Sequence, residues 1–145
     1  MVEAQAVWHD GERFVAKASS GHALIVDSDR ISNTAAGPME LVLIALCACT
    51  ATDVVSILRK KREPFTSVSV HAQAERAKEP PAVYEQIKLI YSVGGNVQKK
   101  AIEDAVRLSK GKYCSVSAML QKTARISFEI EYSDTMAVQG MEAVD

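Results

Sequence analysis

The longest apolar stretch, ELVLIALCACTATDVVSIL at residues 40–58, most constrains what this chain can fold into. Residues 41–51 are apolar at nearly every position, so a helix built from them has no face suited to water. Pro38 suits the first helical position, where no backbone N–H is needed, and the basic run RKKR suits the negative helix end. The sequence therefore predicts a helix from Pro38 to about Lys61 that sheets or a partner subunit must cover on all sides.

We do not expect this helix to cross a membrane. The mostly apolar run from Leu41 to Thr52 is about a dozen residues long, whereas a membrane span needs about 20. The N-terminus, MVEAQAVWHDGERF, lacks the basic start and the apolar stretch of a signal peptide. These features predict a cytoplasmic protein with reduced cysteines.

The size and charge of the chain limit its organisation and its partners. A chain of 145 residues suits one domain, whose core can form without disulfides or a structural metal. The net charge of −1 gives no general attraction to nucleic acid or to a membrane. The basic cluster at residues 59–62 has a sufficient explanation as a helix end. We therefore predict a single domain over residues 1–145, with residues 134–145 as a loose tail.

Strands are grouped before and after the apolar helix. Alternating residues and two turn sequences, HDGE and SSGH, predict a three-stranded meander over residues 2–27. FTSVSVHAQAER and VYEQIKLIYSV alternate with period two and predict a long antiparallel hairpin ended by Gly94 and Gly95. NVQKKAIEDAVRLSK predicts an amphipathic helix with an Asn cap, stopped by Gly111, before a short helix and a last strand. This order indicates an α+β fold with a second antiparallel sheet.

Three cysteines, Cys47, Cys49 and Cys114, can be packing residues, metal ligands or a redox pair. No two have C-x-x-C spacing and the histidines are scattered, so we expect no metal site. On a helix Cys47 and Cys49 are rotated by about 200°, so at most one faces a given cleft. We interpret Cys47 as a small buried hydrophobic residue, and composition alone slightly favours the same role for Cys49.

Two charge arguments bear on the thiols. Cys114 opens the predicted short helix, where free N–H groups and the helix dipole predict a lowered thiol pKa. Asp53 lies one turn after Cys49 on the same helix face. A lone carboxylate there opposes formation of a thiolate at Cys49 unless a cation such as Arg13 neutralises it.

The segment GPMELVLIALCACTATDVVSILRKK, followed after a hairpin by AVRLSKGKYCSVSAML, resembles the OsmC/Ohr family of thiol peroxidases. The resemblance covers residues 8–132 and is closest to a branch whose function is poorly described. In that family a cysteine of the central helix comes eleven positions after the opening proline, and Pro38 and Cys49 have that spacing. The second family cysteine opens a later helix in a Cys-Pro-x-Ser setting. Cys114 and Ser117 match this setting, although Ser115 replaces the proline.

The resemblance implies an OsmC-like fold, an intertwined homodimer and reduction of organic hydroperoxides in oxidative stress defence. It also implies that the peroxide oxidises Cys49 to a sulfenic acid, which Cys114 converts to a disulfide. A dithiol reductant, typically a lipoyl protein in this family, would restore both thiols. No metal, flavin or other cofactor is implied, and neither nucleic acid nor a membrane is expected as a partner.

One position departs from the peroxidase pattern. Peroxidases of the family have a glutamate directly after the proline, paired with an arginine, but this chain has Met39 there and Glu40 one residue later. Arg13 in the first hairpin is the nearest candidate for the arginine. Glu40 also has a simpler explanation as a first-turn acid, and Arg13 as a solvated turn charge. The candidate catalytic residues are thus Cys49, Cys114, Arg13 and Glu40. The alternative is a non-enzymatic dimer that binds a small apolar ligand or senses oxidation slowly.

Overall fold

A computed structural model describes residues 1–132 of the chain, and the predicted loose tail at residues 134–145 lies outside them. The structure divides into two compact units, Met1–Ile44 and a second that starts at Ala45, and the prediction of one domain stays a prediction. The elements in order are β1 (Ala4–Asp10), β2 (Arg13–Ala18), β3 (Ala23–Asp27), α1 (Pro38–Lys60), β4 (Phe65–Arg76), β5 (Tyr84–Gly95), α2 (Lys99–Leu108), α3 (Ser115–Leu120) and β6 (Arg125–Tyr132). Helix α1 starts in the first unit and continues into the second.

The first unit contains the predicted meander. Strands β1, β2 and β3 form one antiparallel sheet in that order, with Val7 opposite Val15 and Val15 opposite Ile25. In the first turn the Trp8 indole N–H donates to the Gly11 carbonyl at 2.9 Å, and Gly11 has a φ of 51°, which glycine adopts without strain. Much of this sheet is exposed within the unit.

The loop between β3 and α1 is organised by the buried carboxylate of Asp27. Its oxygens accept hydrogen bonds from the Asp29 N–H at 2.9 Å, from the Thr34 N–H at 3.0 Å, from the Thr34 hydroxyl at 2.5 Å and from the Ser32 hydroxyl at 3.0 Å. These donors favour the ionised form and hold the pKa of Asp27 well below its ordinary value. A segment without helix or strand is thereby fixed in front of α1.

The second unit is built on the predicted hairpin. Strands β4 and β5 pair antiparallel from Phe65 opposite Gly95 to Arg76 opposite Tyr84. Strand β6 pairs parallel with β5, so the second sheet is mixed and the expectation of an antiparallel sheet was wrong for this strand. Two helices between β5 and β6 return the chain to the same end of the sheet, and such a crossover places the next strand parallel.

Helix α1 ends at Lys60, one residue before the predicted end. Its buried residues are spaced four apart and form a single stripe: Leu46, Thr50, Val54 and Leu58. The described chain therefore does not bury α1 on all sides, although the sequence predicted that sheets or a partner subunit would cover it. Ile44 on this helix, for example, is 54% exposed. By length and composition α1 could also cross a membrane, a test that core helices of soluble proteins pass as well.

The segment after α2 differs from its prediction at both ends. The N-cap of α2 is Gln98, without a side-chain cap bond, and the predicted cap Asn96 lies two residues earlier. Gly111 does not stop the helical path, because Ser109–Tyr113 forms a π-helical turn that runs through it. π-Helical turns are rare in proteins, and those that occur often lie at functional sites.

Candidate functional site

The two cysteines singled out above lie next to each other in the second unit. Cys49 is half-buried on α1, and Cys114 is 3% exposed at the N-cap of α3. Both are free thiols, and Cys49 is close enough to Cys114 to raise the pKa of that thiol. The structure thus brings together two sulfur atoms that are 65 positions apart in the sequence.

The predicted lowering of the Cys114 pKa was wrong. The Ser117 N–H does donate to Cys114 Sγ at 3.3 Å, and this contact lowers the pKa. Burial and, to a lesser extent, the neighbouring Cys49 side chain outweigh it, and they raise the pKa of Cys114 to about 12. The thiolate is disfavoured because a buried site removes water from the charge, while the short helix offers one donor.

A polar connection links the segments that carry the two thiols. The buried Ser109 hydroxyl donates to Asp53 Oδ2 at 2.8 Å, and Asp53 lies one turn after Cys49 on α1. The Ser109 carbonyl in turn accepts the Cys114 N–H at 2.9 Å, which closes the π-helical turn. Ser109 therefore holds both the carboxylate near the thiols and the backbone of Cys114.

Strand β5 contributes a buried tyrosine to the same region. Tyr91 is 1% exposed, and burial is the largest cause of its raised pKa, to which the nearby Asp53 adds. The Tyr91 hydroxyl is near the Thr50 side chain of α1. Thr50 Oγ1 is buried and has no hydrogen-bond partner among residues 1–132. On the same helix, burial raises the pKa of Cys47, which agrees with a packing role for this thiol.

A cavity of about 400 Å³ opens beside this polar connection. Asp53 forms part of its wall, and its other lining residues are Ser56, Ile57, Lys60, Lys61, Leu108 and Tyr113. The wall thus combines apolar surface with two ammonium groups. A larger hollow of about 710 Å³ lies at the end of the meander in the first unit, and none of its lining residues is a cysteine.

The other two candidate residues belong to the first unit and have partners there. The Arg13 guanidinium pairs with Asp10 at 2.5 Å, and this contact raises the pKa of Arg13 and lowers that of Asp10. Glu40 pairs with Arg30 at 2.7 Å and accepts the Gly37 N–H at 3.0 Å. Glu40 thus joins the loop to the first turn of α1.

Sequence reasoning missed two of the residues around the thiols, Ser109 and Tyr91, and found a third, Ser117, only through the cysteine motif. Ser109 falls in the segment predicted as an amphipathic helix, and its polar role depends on a carboxylate 56 positions earlier. Tyr91 was one member of an alternating strand, with no local feature that marks it. Ser117 was matched as part of the cysteine motif, but its hydroxyl is buried without a hydrogen-bond partner among the described residues. None of these contacts has a signature in local sequence.

Comparison with known proteins agrees with the fold and the motif. A family model described as OsmC-like protein matches residues 31–129. Protein YhfA of Escherichia coli (strain K12) is 37% identical over 131 residues, which are 90% of this chain and 97% of that protein. A hypothetical protein from Aquifex aeolicus VF5, known from a crystal structure, is 32% identical with a TM-score of 0.79, over 91% of this chain and 97% of that chain.

A more distant crystal structure is that of an organic hydroperoxide resistance protein OsmC from Legionella pneumophila. It is 16% identical with a TM-score of 0.68, over 90% of this chain and 96% of that chain, so this likeness concerns the fold alone. The protein described here belongs to the OsmC-like family. The predicted α+β, OsmC-like fold is thereby confirmed.

Proposed function

We propose that this protein is a thiol peroxidase that reduces organic hydroperoxides in oxidative stress defence, with Cys49 as the reacting thiol and Cys114 as the resolving thiol. The Cys49 sulfur attacks one peroxide oxygen, an S–O bond forms and the O–O bond breaks. The peroxide is reduced to an alcohol, which keeps the proton that Cys49 gave up, and Cys49 becomes a sulfenic acid.

The observation that carries this proposal is the closeness of the two thiols. Cys49 acts on the pKa of Cys114, and Ser109 ties the backbone of Cys114 to Asp53, one turn after Cys49 on α1. A disulfide needs Cβ atoms about 3.5 to 4.5 Å apart, so closeness of the two side chains favours its formation. Cys49 is half-buried rather than sealed within the described chain. Family members named organic hydroperoxide resistance proteins share the fold and support the same activity.

An organic substrate is favoured over hydrogen peroxide alone by the apolar residues near Asp53. The cavity there includes Ile57 and Leu108, which suit a molecule with a hydrocarbon part, while neither Cys49 nor Cys114 is among its lining residues. A dithiol such as a lipoyl protein completes the cycle, because it can reduce the Cys49–Cys114 disulfide by exchange. A cytoplasmic location, where such reductants act, belongs to this proposal. The role of Arg13 and Glu40 as activating residues stays a prediction.

A homodimer also forms part of the proposal. Only one stripe of α1 is buried by the described chain, and the other faces carry apolar and small residues. Ala48, Ala51 and Val55 line a shallow hollow of about 660 Å³ on one of these faces. A second copy of the chain would remove this apolar surface from water, which is the usual driving force of association.

A second candidate function is slow redox sensing by the same thiols. The pKa of about 12 for Cys114 favours it, because an un-ionised thiol resolves a sulfenic acid slowly. Met39, where peroxidases of the family have a glutamate, favours it too. Binding of an apolar ligand in the cavity would be compatible with either function.

Stopped-flow reaction of the reduced protein with cumene hydroperoxide tests the peroxidase. We expect a reaction faster than that of free cysteine by at least about 100-fold, as for a positioned and activated thiol. Cys49→Ser should abolish this reaction, and Cys47→Ser, on the same helix, should leave it unchanged. A rate no faster than that of free cysteine, or an unchanged rate in Cys49→Ser, would exclude the peroxidase and leave the sensor or the ligand-binding protein.

A further inference from the structure

We propose that Asp53, held in place by Ser109, is a positioning residue that restrains Cys114 as a thiol and thereby lengthens the life of the sulfenic acid on Cys49. This inference rests on the proposed function, because it concerns the second step of that reaction. It assigns a role to the carboxylate and the hydroxyl, which belong to neither cysteine motif.

The geometry that carries this inference is the pair of contacts made by Ser109. Its hydroxyl holds Asp53 Oδ2 at 2.8 Å, and its carbonyl holds the Cys114 N–H at 2.9 Å. Because Ser109 is fully buried, neither contact is exchanged easily for water. The carboxylate is therefore kept at a fixed place relative to the resolving thiol.

The carboxylate charge at this place is not neutralised by a direct ion pair. No lysine, arginine or histidine of residues 1–132 lies within ion-pair distance of Asp53. Lys60 and Lys61 line the same cavity, and Lys61 is paired with Asp104 at 3.4 Å. Asp53 thus acts on its neighbours as a negative charge.

The other titratable groups near Cys114 do not supply a positive charge either. They are Cys49 on α1 and Tyr91 on β5, and neither side chain can carry a positive charge. Tyr113 precedes Cys114 in the π-helical turn, and the Lys112 ammonium lies 5.3 Å from the centre of the Tyr113 ring. Burial is the largest cause of the raised pKa of Cys114, and the charge of Asp53 adds to it.

The step that this charge slows is disulfide formation. Cys114 loses its proton, and its sulfur attacks the sulfur of the Cys49 sulfenic acid. An S–S bond forms, the S–O bond breaks, and the departing hydroxide takes up a proton to leave as water. The Cys114 sulfur is oxidised and the Cys49 sulfur is reduced, so the step needs no further reagent. In the reduced protein the pKa of Cys114 is about 12, so the attacking thiolate is a minor species at pH 7.

The test follows a single turnover with one equivalent of cumene hydroperoxide. Disulfide formation is measured by loss of free thiols, and the sulfenic acid is measured by trapping with dimedone. In the wild-type protein the rate of disulfide formation should rise about tenfold per pH unit from pH 7 to 9, because the thiolate fraction rises by that factor. A plateau in this range would show an ordinary resolving thiol and would overturn the proposal.

The Asp53→Asn variant keeps the shape of the side chain and removes its charge. Disulfide formation at pH 7 should become about three- to tenfold faster, and dimedone trapping should fall accordingly. Ser109→Ala should also make disulfide formation faster, but by a smaller factor. The charge of Asp53 remains in this variant, and only the hydrogen bond that holds the carboxylate in place is lost. Glu129→Gln is the matched control, because it removes a carboxylate that is paired with Lys88 at 2.6 Å on the exposed face of β6.

Three outcomes contradict the proposal. An unchanged rate in both Asp53→Asn and Ser109→Ala would show that the carboxylate has no influence on Cys114. A slower rate in Asp53→Asn would make Asp53 a base that assists the thiol. An equal acceleration of disulfide formation in Glu129→Gln would show that the net charge of the protein, and not the position of Asp53, sets the rate. Failure of the peroxidase itself is recognised separately, because the first phase, oxidation of Cys49, would then be absent in every variant.

Discussion

Ser109 and Asp53 are joined by a hydrogen bond of 2.8 Å that connects the π-helical turn before Cys114 to the helix that carries Cys49. The two thiols are therefore held together by packing and by this polar contact, without a disulfide. The charged group nearest to Cys49 along the sequence is the carboxylate of Asp53. Burial, to which this charge adds, explains why proximity of two cysteines and easy ionisation need not occur together.

The first prediction concerns the linkage itself. After one equivalent of cumene hydroperoxide, mass spectrometry of digested wild-type protein should show a peptide pair joined between Cys49 and Cys114, because these thiols lie close to each other. Cys114→Ser should instead accumulate a sulfenic acid on Cys49 that dimedone traps. Cys47→Ser serves as the control and should form the same linkage as wild type. A linkage between Cys47 and Cys114 would contradict the prediction, because it would show that Cys47 and not Cys49 is the reacting thiol.

The second prediction concerns stability in acid. The pKa of Asp27 is lowered from 3.8 by its four hydrogen bonds, so its contribution to the free energy of unfolding is complete above about pH 4. It is lost as the pH falls below this value towards the lowered pKa. Asp27→Asn should therefore lower the melting temperature at pH 7 and weaken its dependence on pH between about 5 and 2. Thermal melts across this range measure both effects.

The exposed Glu12 provides a control for the acid-stability experiment, since its side chain makes no hydrogen bond or ion pair with residues 1–132. Glu12→Gln should leave both the melting temperature and its pH dependence close to wild type. If Asp27→Asn and wild type lose stability in parallel below pH 4, the hydrogen-bonded carboxylate is not the group that titrates.

The third prediction compares two buried hydroxyls near Cys114. The Ser117 hydroxyl has no hydrogen-bond partner among residues 1–132, so Ser117→Ala should leave the free energy of unfolding unchanged or raise it by up to about 1 kcal/mol. The Ser109 hydroxyl donates to Asp53, so Ser109→Ala should lower it by about 1–2 kcal/mol. Urea denaturation measures both. A loss in Ser117→Ala larger than that in Ser109→Ala would mean that Ser117 has a partner of its own.

The fourth prediction concerns self-association. Ala48 is exposed on α1 and lines the shallow hollow on that helix, so Ala48→Glu should place a charge in the proposed dimer interface. Sedimentation should show a dimer for wild type and a monomer for the variant, with helix content retained by circular dichroism. Thr123→Glu, in the exposed turn after α3, should remain a dimer. A monomeric wild-type protein, or a dimeric Ala48→Glu, would show that this face of α1 is not the interface.

Much of the fold could be predicted from local patterns. The period of two in FTSVSVHAQAER and VYEQIKLIYSV indicated β4 and β5, and Pro38 indicated the first residue of α1. These features work because a strand alternates its side chains and a helix start tolerates a missing N–H. The partner of β6 could not be obtained in this way. Alternation identifies a strand but does not tell beside which strand it lies or in which direction.

The candidate site was predictable in part, for the same reason. The spacing of Pro38 and Cys49 and the helix-opening place of Cys114 selected the two thiols from sequence. The pKa of Cys114 was predicted in the wrong direction, because its place at a helix start is local while its burial depends on the whole unit. The ion pair of Glu40 with Arg30 was likewise decided by the loop that Asp27 organises.

The sequence by itself determined the order of helices and strands, the family and the identity of the two thiols, since each depends on residue types at short or fixed spacings. Only the tertiary structure decided that Cys114 lies close to Cys49, that burial opposes its ionisation, and that the Ser109 hydroxyl holds Asp53. Hydrogen bonds and desolvation depend on distances between atoms that are far apart along the chain, and only folding sets those distances.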